Sequence, residues 1–427
     1  MQSSPTKRRA RFVFVERACK QDKSLAKALA TLLIAVLLSA CGQSDPTNVT
    51  FHASDAYPER LSDWGLVSLK KGQLSVSNQA LIYDLNTPLF SDYALKLRTL
   101  YLPDGTQAEF HPEQTLGLPV GSIISKTFLY PKNASGQLLT TSTWNGDPNA
   151  INAADFELVE TRLLVRQAHG WDALPYVWHR GDAYLQLTGT IRRFTLAHDS
   201  APQQALNYLV PSKNQCASCH AINHTTGELQ PIGMQARHLD RSTDVYNRNQ
   251  LEHWTERGWL TNVVSKPQPN AVWGDTTQTL EHQARSYLDI NCGHCHNANG
   301  AADTSGLLLD YKSHPANAMG VCKPPIAAGR GSGGHLYSIV PGQAEDSILS
   351  FRLATNDPGM MMPELGRSLV HKEGLTLIIR WISSLKGQCH CLPIFYANFL
   401  RILSKVGSSR SFSDNAGAST GQSMPTS

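Results

Sequence analysis

The sequence predicts an α+β protein of several domains, in which an antiparallel β-rich part precedes a mainly α-helical part. Between 61 and 211, short apolar runs that alternate with polar residues are separated by Asp-Gly, Asn and Pro turns, which is typical of antiparallel strands. Beyond Pro211 the apolar residues recur at helical spacing. Of the 427 residues 41% are hydrophobic, which is enough to bury the cores of more than one domain.

The front of the chain has the layout of an export signal. A basic stretch ending at Lys27 precedes the apolar run Ala28–Ala40, whose thirteen residues are too few to span a bilayer. The small residues before Cys41 resemble the bacterial lipobox, in which that cysteine is lipidated. We therefore expect 1–40 to be a lipoprotein signal peptide and 41–60 to be a tether. An ordinary secretory signal or a short membrane anchor is the alternative.

Lipidation would place the protein on the periplasmic side, anchored to a membrane. Gly42 after the cysteine, where aspartate is absent, favours the outer membrane by analogy with enteric sorting. Residues 1–40 carry eight basic and two acidic side chains, so the rest of the chain has 30 basic and 32 acidic ones. That balance argues against a nucleic-acid partner.

Helical patterns mark the second part of the chain. Residues 249–258 place Leu251 and Trp254 on one face, residues 276–291 form an amphipathic helix that runs into a cysteine motif, and 372–385 repeats the helical spacing. The end of the chain, 392–427, has the polar composition of a disordered tail.

Two stretches have the pattern Cys-x-x-Cys-His, with members at Cys216, Cys219 and His220 and at Cys292, Cys295 and His296. Two thiols at this spacing reach the two vinyl groups on one edge of a porphyrin, and the adjacent histidine then lies under the iron. The motifs predict two covalently bound haem c groups, each with a histidine axial ligand. An exported chain agrees with this reading, because covalent attachment takes place outside the cytoplasm.

Zinc and dithiol redox chemistry are the competing interpretations of these motifs. A zinc ion shared by both Cys-x-x-Cys pairs would leave the adjacent histidine unexplained in both places. A thioredoxin-like pair would follow a strand and open a helix, whereas Cys292 follows a predicted helix.

The region 273–391 has the layout of a small cytochrome c-like domain. The helices predicted at 276–291 and 372–385 would cross, with Tyr287 and Trp381 as partners. Three methionines before a proline precede the last helix, and thioether sulfur is a common sixth ligand of iron. We expect Met362 to be the ligand of the second iron. The first segment, 212–272, offers His224, Met234 and His238 for the same position.

These stretches together resemble a family of di-haem c-type cytochromes of Gram-negative bacteria. The resemblance covers about Leu61 to Cys389, and the stretches that carry it are YDLNTPLFSDYALKLR, VGSIISKTF, VETRLLVR, GWDALPYVW, NQCASCH, PIGMQARHLDR, YLDINCGHCHN, CKPPIAAGRGSGG, IVPG and DPGMMMPELGRS. It implies two haems, a β-rich leading domain and methionine ligation after the Asp-Pro-Gly turn. Met234 stands where the family usually has proline, so His238 is the preferred ligand of the first iron.

Two cysteines outside the motifs, Cys322 and Cys389, flank the predicted methionine loop and final helix. In an oxidising compartment we expect them to form a disulfide, and closing that loop would contribute about 4 kcal/mol in the chain-entropy model. Cys391 is the alternative partner, and two exposed thiols are the alternative to any bond.

Three classes of function fit these observations. A lipid-anchored di-haem cytochrome that transfers single electrons between redox partner proteins is the preferred one. A peroxidase-like di-haem oxidoreductase would need an open sixth position at the first haem. A binding module would use the aromatic residues of the β-rich part, although buried core aromatics are more common.

Overall fold

The computed structural model describes residues 48–389, except for 142–146, 198–201, 222, 262, 264, 313 and 327. The predicted signal peptide 1–40, the lipidation site Cys41 and the predicted tail 392–427 lie outside the described residues. The described residues from Val49 onward belong to one compact unit. None of the helices in this part of the chain has the length and apolarity that a membrane crossing requires.

The leading half of the chain is built from antiparallel strands. Six strands form one antiparallel sheet in the order β10-β9-β8-β6-β4-β3, and this confirms the β-rich part of the prediction. The strands of the described chain are β1 (Val67–Lys70), β2 (Gln73–Val76), β3 (Ala80–Tyr83), β4 (Leu95–Tyr101), β5 (Ala108–Glu109), β6 (Ile123–Pro131), β7 (Leu138–Leu139), β8 (Phe156–Gln167), β9 (Gly170–His179), β10 (Asp182–Leu185), β11 (Thr190–Ala197), β12 (Gln204–Val210), β13 (Ser242–Thr243), β14 (Arg248–Asn249) and β15 (Leu260–Thr261).

The six-stranded sheet is buried on both faces. Successive side chains of a strand point to opposite faces, so Ile123 and Leu163 enter one apolar cluster while Ile124 and Leu164 enter another. We call the face that carries Ile124 and Leu164 the front face. The cluster on the opposite face includes Trp64, which donates its indole N–H to the Tyr176 hydroxyl at 2.8 Å.

The segment 212–272 covers the front face. Its buried side chains Met234, Leu251 and Trp254 belong to the same apolar cluster as Ile124 and Leu164. Strand β15 also pairs with β5 in parallel. This segment therefore shares its core with the β-rich region. In the same way the described part of the predicted tether packs on the chain, since the Tyr57 hydroxyl donates to Asp172 at 2.6 Å.

In the second half, helices are the main regular elements, and long loops connect them. The helix predicted at 276–291 begins at Leu280, because the side chain of Thr279 accepts the backbone N–H of His282 and caps it. The helices of the described chain are α1 (Lys213–His220), α2 (Ala236–Leu239), α3 (Gln250–Glu256), α4 (Leu280–Leu288), α5 (Ile348–Ala354) and α6 (Lys372–Ser384).

Helices α4 and α6 pack against each other at a glycine. A Cβ atom on Gly374 would lie 2.4 Å from the Tyr287 hydroxyl oxygen, so only glycine lets the tyrosine approach this closely. About two turns further on, the Trp381 indole N–H donates to Glu281 of α4. Both aromatic residues that the sequence predicted at this crossing lie at the contact between the two helices.

The connection between β3 and β4 ties the later segments to the sheet. Asn86 donates through its amide to the carbonyl of Arg237 at 3.0 Å, and Thr87 donates to the carbonyl of Ala271 at 2.7 Å. Asp92 accepts the backbone N–H groups of Ser368 and Leu369, each at 2.7 Å. This short stretch therefore positions both the 212–272 segment and the chain before α6.

A disulfide joins Cys322 and Cys389, whose Cα atoms are 5.1 Å apart. It encloses the chain that carries α5, the three methionines and α6. Cys391, the alternative partner, lies outside the described residues.

Candidate functional site

The first motif lies on helix α1. Ser212 accepts the backbone N–H of Gln215, and the Gln215 side chain accepts the N–H of Ser212, so the helix starts with a capping box. Lys213 forms an ion pair with Asp172 of β9 at 3.1 Å. These contacts fix the helix over the front face of the sheet, where Cys216 joins the apolar cluster.

The second motif begins in a π-helical turn, Asp289–Gly293, which continues α4. Gly293 lies so close to the backbone of Asp310 that a Cβ atom would be 2.8 Å from the Asp310 Cα. Cys292 is buried, and burial raises the pKa of its thiol to about 12. The close packing of this turn therefore fixes the position of Cys292.

Each motif histidine is held by one ring nitrogen. Nδ1 of His220 lies 2.7 Å from the carbonyl oxygen of Gln230, and Nδ1 of His296 lies 3.2 Å from the Ser305 hydroxyl. Because the Ser305 hydroxyl donates to the carbonyl of Ala302, it accepts from the histidine. Neither Nε2 atom forms a hydrogen bond within the described part of the chain. Burial lowers the pKa of both imidazoles to about 4.

The two motifs meet in space. Ligand atoms of Cys219, His294 and Cys295 all lie within 4.8 Å of one another. The Cys295 thiol also lies 3.7 Å from the carbonyl oxygen of Ser218 in the first motif. A hydrogen bond with Cys295 lowers the pKa of the Cys219 thiol. More than seventy residues separate Cys219 from His294 and Cys295 in sequence, so only the fold brings the two motifs together.

Met362 lines a cavity beside the helix that leads into the second motif. The cavity is small, about 10 Å³, and Tyr287 and Asn291 also line it. Met361, by contrast, is buried away from it with 6% of its surface exposed. Of the three consecutive methionines, Met362 is therefore the one whose side chain faces this space.

Arg367 holds the methionine loop in place. Its guanidinium donates to the carbonyl oxygens of Met362 at 2.9 Å, of Arg352 at 3.0 Å and of Thr355 at 2.9 Å. The Met362 backbone N–H donates in turn to the carbonyl of Arg352 at 3.0 Å. A loop without regular secondary structure is thus fixed by one buried cation that satisfies several carbonyl groups.

His238 does not offer a free nitrogen to the first motif. Its Nδ1 accepts from the Asn270 amide at 3.1 Å, and its Nε2 lies 3.3 Å from a carboxylate oxygen of Asp289. The structure therefore gives no support to His238 as an iron ligand. His224 lies 3.5 Å from Asp303 and is half-exposed, while Met234 is fully buried in the front-face cluster.

Asp289 is the centre of the buried polar network that engages the ring nitrogens of His238. This carboxylate is buried and accepts two hydrogen bonds from Arg237, at 2.8 and 3.1 Å, together with one from Asn270 at 3.0 Å. The backbone N–H of Tyr311 donates to it at 2.9 Å. Burial acts to raise the pKa of Asp289, but His238 and Arg237 outweigh it and lower the pKa.

Sequence analysis missed a row of cations on the front face. Arg98, Lys126 and Arg162 stand directly opposite one another on β4, β6 and β8. In sequence each looks like the solvent-facing position of an alternating strand.

Comparison of the chain with protein-family models, with curated proteins and with solved structures returns no match.

The donor set of the two motifs fits c-type haem. Four thiols are unpaired, two on each motif, although Cys322 and Cys389 are oxidised to a disulfide. Each histidine is fixed at Nδ1 and free at Nε2, which is how a chain orients an imidazole toward a metal. Each of His220 and His296 could therefore ligate a metal ion through Nε2.

Asp289→Asn is expected to lower the free energy of unfolding by about 3–5 kcal/mol, because it leaves the buried Arg237 charge without its partner. Urea unfolding followed by circular dichroism measures the change. Asp55→Asn is the matched control, since Asp55 is exposed and its loss is expected to have no effect. A change below 1 kcal/mol at Asp289 would contradict this role.

Proposed function

We propose that the protein is a di-haem c-type cytochrome that passes single electrons between redox partner proteins. One observation carries the proposal: Nδ1 of both His220 and His296 is held by an oxygen atom of the chain, and Nε2 of both has no partner within the described residues. Neutral imidazoles fixed in this way are suited to bind iron.

Other side chains of the chain would attach the haems and complete the iron ligation. The free thiols of each motif would hold a haem covalently, and a bound haem c supplies a one-electron iron couple. Met362, which lines a cavity, would supply a thioether ligand to the second iron, and Arg367 would hold the loop that carries it. Contact between Cys219 and Cys295 would bring the attachment edges of the two haems together, which favours electron transfer between them.

A di-haem oxidoreductase of the peroxidase type is the second candidate. The observation that favours it is the engagement of both His238 nitrogens, which withdraws the preferred ligand from the first iron. An open sixth position would let a small ligand reach that iron. We retain electron transfer as the proposal, because within the described residues no acidic or basic side chain forms a hydrogen bond with His220.

Purified full-length protein is expected to contain two covalently bound haems per chain and to bind no carbon monoxide at neutral pH. Pyridine haemochrome spectra, metal analysis and carbon monoxide difference spectra measure these properties. Zinc in place of haem would instead identify Cys219, His294 and Cys295 as the metal site. One carbon monoxide per chain, with peroxide turnover that is lost in His220→Ala, would favour the oxidoreductase.

Met362→Ala is expected to abolish the near-infrared sulfur-to-iron band of the ferric protein and to lower the midpoint potential of one haem, because thioether ligation raises it. Met361→Ala is the matched control, since Met361 does not line the cavity. The assignment of Met362 fails if the band persists in Met362→Ala and is lost in Met361→Ala.

We also propose that the protein is lipid-anchored on the periplasmic side, at the outer membrane, through Cys41. Cys41→Ser is expected to move the protein from the membrane fraction to the soluble fraction, because the modified thiol is lost. Immunoblotting of separated fractions measures the distribution. Unchanged membrane association of the variant would count against lipidation.

A further inference from the structure

Three metal-ligating side chains converge where the two motifs approach each other. One ligand atom from each of Cys219, His294 and Cys295 lies within 4.8 Å of the other two. All three side chains are half-buried, so solvent and dissolved ions can reach them. Thiolate sulfur and imidazole nitrogen are the ligands that zinc prefers in proteins.

Haem attachment leaves His294 without a role. Each motif would use two cysteines and the histidine that follows them, whereas His294 stands between the two cysteines of the second motif. Its Nδ1 atom is buried and has no hydrogen-bond partner in the part of the chain that the structure describes. Buried nitrogen atoms in native proteins nearly always have a partner, and a metal ion is one of the partners that such an atom can take.

The backbone holds both sides of this cluster in place. The Asn297 amide donates to the carbonyl oxygens of Gly293 and His294, at 2.9 and 3.1 Å, and so fixes the chain around His294. The backbone N–H of His224 donates to the carbonyl oxygen of Asn299 at 3.2 Å, and this bond joins the two motif segments. The three ligands therefore meet where the two segments are fixed to each other.

The first cysteine of each motif lies apart from the cluster. Cys216 belongs to the apolar cluster of the front face, and Cys292 belongs to the apolar cluster between α4 and α6. Each motif therefore contributes only its second thiol. A zinc ion shared by all four thiols would require both buried cysteines to leave their apolar surroundings.

The separations suit a zinc ion after a small contraction. Zinc binds thiolate sulfur at about 2.3 Å and imidazole nitrogen at about 2.0–2.1 Å, so tetrahedral ligand atoms stand roughly 3.5–3.8 Å apart. Ligand atoms within 4.8 Å of one another reach that geometry when they approach by about 1 Å. Three protein ligands leave the fourth position to water, which is the pattern of an open zinc site.

We propose that the chain binds one zinc ion through Cys219, His294 and Cys295 before haem is attached. Binding releases the two thiol protons to solvent and involves no oxidation. The site stands on these contacts alone, whereas its effect on haem attachment rests on the proposed function. Attachment adds the S–H bond of each thiol across a vinyl double bond, and a thiolate held by zinc is withheld from that reaction. One ion would therefore block both haems together.

The test measures zinc in the full chain, purified under exclusion of oxygen from cells that lack the machinery for haem attachment. Metal analysis after dialysis is expected to find one zinc per chain, and cobalt in its place is expected to give a sulfur-to-cobalt charge-transfer band. Cys219→Ser and Cys295→Ser are expected to lose the ion and the band. Cys216→Ser and Cys292→Ser, which remove the other thiol of each motif, are the matched controls and should retain both.

His294→Gln separates the zinc site from haem attachment, because it leaves all four thiols in place. It is expected to weaken zinc binding at least about tenfold. His169→Gln, in the turn between β8 and β9, is the matched control, since the His169 side chain is 59% exposed. In cells that attach haem, excess zinc in the medium is expected to yield wild-type chains without haem at either motif, as intact mass shows. His294→Gln is expected to restore both haems, and His169→Gln is not.

Several outcomes would overturn the inference and leave the proposed function standing. A haem-free chain that is folded by circular dichroism and binds no zinc would do so, as would a chain that stays unfolded in the presence of zinc. Loss of the ion in all four cysteine variants would replace the site by one of four thiols. Equal loss of haem in the wild type and in His294→Gln would refute the effect on attachment. Mature protein without haem would instead overturn the proposed function and leave the zinc site standing.

Discussion

The buried carboxylate of Asp289 is the interaction on which the arrangement of both motifs depends. It lies three residues before Cys292 and accepts hydrogen bonds from Arg237 and Asn270 of the segment that carries the first motif. Nε2 of His238 lies 3.3 Å from the same carboxylate. Removing a carboxylate from water is costly, and the cost is recovered only when its lone pairs are satisfied. Because these donors come from distant parts of the sequence, the carboxylate fixes the two motif segments relative to one another.

The sheet contributes the other half of the arrangement. Both of its faces are buried, and the 212–272 segment completes the apolar cluster on the front face. The first motif therefore stands over a rigid surface, and its surroundings include the side chains of β4, β6 and β8. If the first motif lay on a separate helical domain, it would face solvent. Lys126 and Arg162 would then be ordinary surface cations of the sheet.

Local patterns in the sequence predicted the β-rich half and three of the six α-helices of the described chain. Period-two alternation predicted the strands, and helical spacing predicted α3, α4 and α6, because both depend on neighbours within a few residues. The crossing of α4 and α6 through Tyr287 and Trp381 also followed from spacing. His238 as an iron ligand stays a prediction, and its contacts with Asn270 and Asp289 show that a buried histidine near a motif can belong to a structural network.

The sequence by itself determined the two Cys-x-x-Cys-His motifs, the antiparallel β-rich half and the methionine before the last helix. Only the tertiary structure decided that the motifs touch through Cys219 and Cys295, that Met362 faces a cavity and that cations line the sheet beneath the first motif. The physical reason is the distance along the sequence over which each kind of interaction acts. Hydrophobic periodicity and motif spacing are set by covalent geometry over a few residues, whereas contacts such as Arg237 with Asp289 depend on which surfaces the whole chain buries together.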